Sequence, residues 1–261
     1  SFSVYTEEII GETNNKLEKF SMYQDFTSSG VGINFKAGFI YRPIPVLRLG
    51  FAIHTPTYYD LDAYANNNVS AKFTELPVED AKPTDNFEYG ESAWTDYSYK
   101  LKTPWRFMAS AATVLGQRAI ISFDYEYVDY TTAKYSNDGA KNEYLETNNA
   151  IKAIYNSTHN FRAGAEYRFN SVFYLRGGYA YSASPYTKGE MNEKNDIQII
   201  TGGLGLNFGV FYADLAYLHK NSKLNGLFYY YETSKGEVIE SPEFQTKFKD
   251  NEFRLTLGIR F

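Results

Sequence analysis

Between Asn251 and Phe261 apolar and polar side chains take strict turns. Phe253, Leu255, Leu257, Ile259 and Phe261 share one parity, and Arg254, Thr256, Gly258 and Arg260 share the other. That period of two predicts a strand with one oily and one wet face. The same pattern recurs upstream. Residues 31–42 place Val31, Ile33, Phe35, Ala37, Phe39 and Tyr41 opposite Gly32, Asn34, Lys36, Gly38 and Arg42. Residues 47–54 place Leu47, Leu49, Phe51 and Ile53 opposite Arg48, Gly50, Ala52 and His54. Further strands are predicted over 97–115, 118–130, 160–169, 173–181, 195–208 and 210–219, which makes nine with the terminal one.

The joints between these strands alternate in length. Short turns fall at Pro43-Ile44-Pro45, Gly116-Gln117, Asn170-Ser171 and Gly209. Long polar segments fall at 57–95, 131–157, 183–194 and 220–250, the first of them acidic and expected to be one large loop. A short helix is expected within 141–155, and a loop with a hairpin, including a strand over 17–26, before residue 30. Brief turns alternating with long loops describe a transmembrane barrel, with turns on the periplasmic side and loops outside. The predicted fold class is all-β, an antiparallel transmembrane β-barrel.

Composition agrees with a single all-β unit: the 261 residues include 25 Tyr, 20 Phe and 19 Gly but only 3 Met. A mean hydropathy of -0.45 does not contradict a membrane reading, because a spanning strand shows lipid only every second side chain. Tyr41, Trp105, Phe169, Tyr181, Phe208 and Phe261 stand near strand ends, where interfacial girdles form. With no cysteine, thiol catalysis and disulfide frameworks are excluded, and a net charge of -5 argues against a nucleic-acid partner.

Nearly all charges within the strands share the wet parity: Lys36, Arg48, Arg106, Asp124, Glu126, Arg162, Glu166, Arg168, Arg176, Asp214 and Arg254. Opposite charges on neighbouring strands pair across such a face. Those left over can meet a ligand, and guanidinium is suited to a carboxylate. Arg48, His54, Arg106, Arg162, Arg176 and Arg254 are therefore the candidate ligand-binding residues. His54 is also the sole candidate for a general base, but no Gly-x-Ser-x-Gly or paired-histidine motif accompanies it, so no enzyme activity is expected. No cofactor or metal site is expected either; the acidic residues Asp60 and Asp62 lack the spacing of a calcium loop.

The runs Gly32-Ile33-Asn34-Phe35-Lys36-Ala37-Gly38-Phe39-Ile40-Tyr41-Arg42-Pro43, Leu47-Arg48-Leu49-Gly50-Phe51-Ala52-Ile53-His54-Thr55-Pro56 and Arg162-Ala163-Gly164-Ala165-Glu166-Tyr167-Arg168-Phe169 resemble FadL/OmpP1/TodX-type transport proteins, particularly Bacteroidetes members. The resemblance implies an integral location in the bacterial outer membrane. It also implies a fourteen-stranded barrel with an N-terminal hatch and passive transport of hydrophobic molecules such as long-chain fatty acids. Partners implied are the hydrophobic ligand, the bilayer with its lipopolysaccharide, and the barrel-assembly machinery, reached through the terminal strand ending in Phe261. A second implication is an accessory role in protein secretion or surface display. Nine crossings are odd where single-chain barrels have an even number, so residues 1–261 are expected to be the C-terminal part of one barrel, without the hatch and early strands.

Overall fold

The computed structural model describes residues 2–9, 17–73, 87–116, 118–139, 143–227, 230–232 and 236–259. Gln117 and the terminal Phe261 lie outside them. The chain forms two units, one of residues 1–33, 58–101 and 135–143, the other of residues 34–57, 102–134 and 144–261.

The larger unit holds one antiparallel sheet of nine strands. They are β3 (Lys36–Ile44), β4 (Leu47–His54), β7 (Arg106–Leu115), β8 (Ala119–Asp129), β10 (Ser157–Arg168), β11 (Phe173–Ser182), β12 (Ile197–Asn207), β13 (Phe211–Leu227) and β16 (Glu243–Ile259), numbered with the elements given below. The spatial order is β16-β13-β12-β11-β10-β8-β7-β4-β3. The nine strands of the sequence reading are these nine, each paired with its sequence neighbours.

Register explains the alternation. One face carries rows such as Phe39, Phe51, Ala109, Tyr125 and Phe161, and Tyr167, Leu175, Leu204, Leu215 and Leu255. This face is bare: Phe253, Leu255 and Leu257 are 73%, 66% and 71% exposed. Among the described residues, only Ala63, Val128, Ile151 and Tyr174 are buried on the hydrophobic side of the ledger. A sheet that exposes a continuous apolar face and encloses almost no core is stable only where its surroundings are themselves apolar.

The short turns have turn chemistry. Arg42 donates from Nε and Nη2 to the Pro45 carbonyl, at 3.2 and 2.7 Å. Asn170 Oδ1 accepts from the N–H groups of Val172 and Phe173, at 2.9 and 2.8 Å. At the β12–β13 turn Gly209 takes φ 85°, a left-handed conformation that a glycine adopts without a Cβ clash.

At the other end of the sheet the strands stop where proline removes an N–H. Pro56 and Pro104 end β4's extension and precede β7, and threonine hydroxyls fill the missing ladder positions. Phe35 N donates to Thr55 Oγ1 at 2.9 Å, Thr57 N to Thr103 Oγ1 at 2.8 Å, and Asn34 Nδ2 to Thr57 Oγ1 at 2.8 Å. For this reason the strand predicted over 31–42 is split at 34–35, its first residues belonging to the strand that ends at Ile33, and that predicted over 97–115 is split at 103–105.

The smaller unit corrects the sequence reading. It holds β1 (Phe2–Ile9), β2 (Leu17–Ile33), β5 (Tyr58–Phe73), β6 (Phe87–Lys102) and β9 (Lys134–Ser136) in the order β1-β2-β5-β6-β9. The segment 57–95, expected as a loop, is therefore largely strand. Its pairs are polar on one face, with Asp25 opposite Asn66 and Thr27 opposite Tyr64, so the lipid-driven alternation used as the signal is missing. The hairpin expected before residue 30 is β1–β2. Likewise 220–250 is not all loop, since β13 runs to Leu227, β16 starts at Glu243, and β14 (Tyr230–Glu232) pairs with β15 (Val238–Glu240).

The expected helix is α1 (Leu145–Ile154), with Glu146 in its first turn, Lys152 in its last and Ile151 buried. It locks to the segment after β11. Asn156 N donates to the Pro185 carbonyl at 2.7 Å, Thr187 N to the Ile154 carbonyl at 2.8 Å, and the Tyr155 and Tyr186 rings lie 5.1 Å apart. Burial, with the hydrogen bond that Tyr186 makes to Tyr155, pushes the Tyr186 phenol above its ordinary range.

Two outcomes test this arrangement. On intact cells a cysteine replacing Lys188, in the long segment after β11, should react with an impermeant maleimide, whereas one replacing Ser171 in a short turn should not; the chain has no native cysteine to interfere. Reversed labelling would overturn the orientation. In reversible refolding of the complete protein into bilayers, Phe51→Arg on the apolar face should cost about 2–4 kcal/mol if near the midplane, and Ala52→Arg on the polar face much less. Equal costs would remove the distinction between the faces.

Candidate functional site

The wet parity of the nine strands assembles into one polar face, and all six predicted residues lie on it: Arg48 and His54 on β4, Arg106 on β7, Arg162 on β10, Arg176 on β11 and Arg254 on β16. Their surroundings differ.

Arg176 is held twice. Its Nε donates to Glu166 Oε2 on the neighbouring β10 at 2.8 Å, and its Nη1 to Asp214 Oδ1 at 2.6 Å. Asp214 is on β13, so the guanidinium crosses the whole of β12. It can do so because the residues of β12 in its way are Gly203, opposite Arg176, and Gly205, opposite Tyr174 on β11 and Asp214 on β13. The Tyr174 ring lies over Gly205, where an added Cβ would collide with ring carbons. Arg168 and Arg176 guanidiniums sit 5.8 and 5.2 Å from the centre of that same ring. The cluster contains two cations and two anions, so it has no charge left to offer a ligand. Sequence parity put these groups on one face but could not show that a glycine strand lets them meet.

A second group gathers at the prolines' end of the face. Lys36, His54 and Arg106 stand side by side across β3, β4 and β7. Arg106 Nη1 is 3.9 Å from Glu126 Oε2, and Glu126 Oε1 accepts from Asn160 Nδ2 at 3.0 Å. Asn160 is buried and its Oδ1 accepts the Ala183 N–H at 3.1 Å, which fixes the amide. Arg254 reaches Glu252 on its own strand at 2.6 Å.

Arg48 and Arg162 have no hydrogen-bond or ion-pair partner among the described residues. Arg162 stands where two hollows meet. One, of 640 Å³, has Gly38, Gly50, Ala52, Met108 and Ser110 along it with Asp124, Glu126 and Asn160 beside the arginine; Phe39, Ile40, Phe51, Ala109 and Tyr125 complete the lining. The other, of 270 Å³, is bounded by Ser122, Gly164, Gly178, Ala180 and Thr201 among others. Small side chains leave the wall smooth on both sides of one cation. The small residues were visible in the sequence, but their alignment in neighbouring strands follows only from register. No cluster of potential metal ligands is found among the described residues.

A family model described as outer membrane protein transport protein (OMPP1/FadL/TodX) matches residues 4–208. Among solved structures, the chain is similar to a FadL homologue of Pseudomonas aeruginosa at 12% identity and a TM-score of 0.47, over 98% of this chain and 77% of the other. It is also similar to OmpT, an outer membrane protein of Vibrio cholerae, at 12% identity and a TM-score of 0.38, over 92% and 74% respectively. No curated protein matches it in sequence.

The double hold on Arg176 makes a stability prediction. Its side chain is 46% exposed, so solvent screens the pairs, and Arg176→Gln should cost on the order of 1 kcal/mol. A double-mutant cycle with Asp214→Asn, read by refolding of the complete protein, should show coupling between the two sites; independent effects would mean that the contact across β12 contributes nothing.

Proposed function

The chain belongs to the OMPP1/FadL/TodX family of integral outer-membrane transport proteins, and on that footing we propose that it passes hydrophobic molecules with one anionic head, long-chain fatty acids among them, along its polar face. The observation that carries this reading is Arg162. Arg176, Arg106 and Arg254 are already occupied by carboxylates, whereas Arg162 presents a guanidinium without a partner between two hollows with small-residue walls. A carboxylate would take the guanidinium, and the alkyl chain would lie along Gly164, Gly178 and Ala180, with Ile199 beside it.

The reading extends to the architecture. In hydrocarbon an open strand edge leaves backbone groups unpaired at several kcal/mol each. The sheet's outermost strands, β3 and β16, therefore need partners beyond the nine, and we propose that the nine strands form part of one larger barrel.

Uptake by cells carrying the complete protein tests the role of Arg162. Arg162→Gln should lower the apparent affinity for a labelled long-chain fatty acid by about tenfold or more, the loss of one charge-assisted contact, and leave the corresponding methyl ester unaffected. An equal effect on acid and ester would remove Arg162 as the anchor.

A further inference from the structure

Up the apolar face of β13 and β16 the chemistry changes while the register does not. From the short-turn end the paired outward residues are Phe211 with Ile259, Ala213 with Leu257, Leu215 with Leu255 and Tyr217 with Phe253. The next are His219 with Asn251, Asn221 with Lys249 and Lys223 with Lys247. Tyr217 Oη donates to Asn251 Oδ1 at 2.8 Å, and His219 Nδ1 lies 2.8 Å from the same oxygen. These contacts mark the level at which the outward face turns polar.

Lys223 and Lys247 stand directly opposite each other, a like-charge pair that weakens a sheet unless an anion lies over it. Lys249 is the next outward residue below. All three are exposed, and none has an ion-pair partner among the described residues. The nearby acids do not serve them. Asp250 faces the other side and pairs there with Lys220 at 3.7 Å. Asp196, before β12, accepts the Ser184 N–H at 2.9 Å. Glu243 is two outward positions beyond Lys247, opposite Leu227.

We propose that Lys223, Lys247 and Lys249 form a docking surface for the phosphate groups of a phosphorylated glycolipid in the outer leaflet. Two observations point to that occupant. The charge is positive and uncompensated on a face that is otherwise made for lipid. Its height also fits: four to six residues above Phe253 is about 13–20 Å along the strands, and less vertically once barrel tilt is included. All three lysines thus stand at the level of the phosphorylated sugar headgroup just above the acyl chains. Gln198 and Asn221 share a row with Lys249 and provide amide groups for sugar hydroxyls. The proposal rests on the outer-membrane setting and is independent of what Arg162 binds.

Native mass spectrometry of the complete, folded protein titrated with diphosphoryl lipid A tests it. Replacing Lys223, Lys247 and Lys249 together by Gln should weaken binding by at least about tenfold. The same change at Lys152, Lys188 and Lys194, three exposed lysines elsewhere, should leave binding within about twofold. Dephosphorylated lipid A and phosphatidylglycerol should bind the unaltered protein weakly. Equal losses in the two triple variants, or equal binding of phosphorylated and dephosphorylated lipid A, would overturn the proposal. Because the readout is lipid binding and not uptake, it succeeds or fails separately from the transport reading.

Discussion

A peptide group in hydrocarbon has no water to bond to, and every other property of this sheet follows from that. Each strand must be paired along its whole spanning length, so the nine strands keep register over the residues that meet lipid except for one shift between Tyr41 and Ile44 beside the short turn, and one face must be apolar at every second position. The interruptions fall elsewhere. Where Pro56 and Pro104 leave gaps, the Thr55 and Thr103 hydroxyls accept the N–H groups that the ladder no longer serves. The backbone accounting is thus closed by side chains at the one level where the ladder itself cannot close it.

The same constraint separates what could be read in the sequence from what could not. The nine strands were legible because Phe51, Phe123 and Leu257 must face lipid while their neighbours must not. β5 and β6 were not legible, because neither face of Asn66-Asn67-Asn68 or Ser98 needs an apolar environment and the period-two signal is lost. Strand ends were misplaced for a related reason: β13 and β16 have 17 residues each, about 55 Å of strand, far more than a membrane requires, and in the surplus the outward parity turns polar while Leu224 and Phe248 fall on the other, so the alternation is lost.

Candidate ligand residues were legible only as a class. Parity places Arg48, Arg106, Arg162, Arg176 and Arg254 on one face, but whether each is occupied depends on neighbours in its own strand or one or two strands away. Arg176 meets Glu166 on the next strand and Asp214 on the second, the latter because β12 offers glycines at 203 and 205. Arg162 meets no such partner. Lys223 and Lys247 show the complementary case: they continue the lipid-facing parity of Tyr217 and Phe253, yet only pairing reveals that they oppose each other.

The reach of Arg176 across β12 also has a consequence for the order of assembly. Its two carboxylates belong to β10, the adjacent strand, and to β13, which is reached across β12, an element that contributes no side chain to the contact. Until β11, β12 and β13 are all seated side by side, the guanidinium can satisfy only half of its geometry, and Asp214 faces the interior alone. The β10–β11 hairpin alone makes the Glu166 half, but the full clasp forms only in the completed four-strand panel from β10 to β13, so it discriminates correctly stacked walls from walls in which a strand has been skipped or added out of turn.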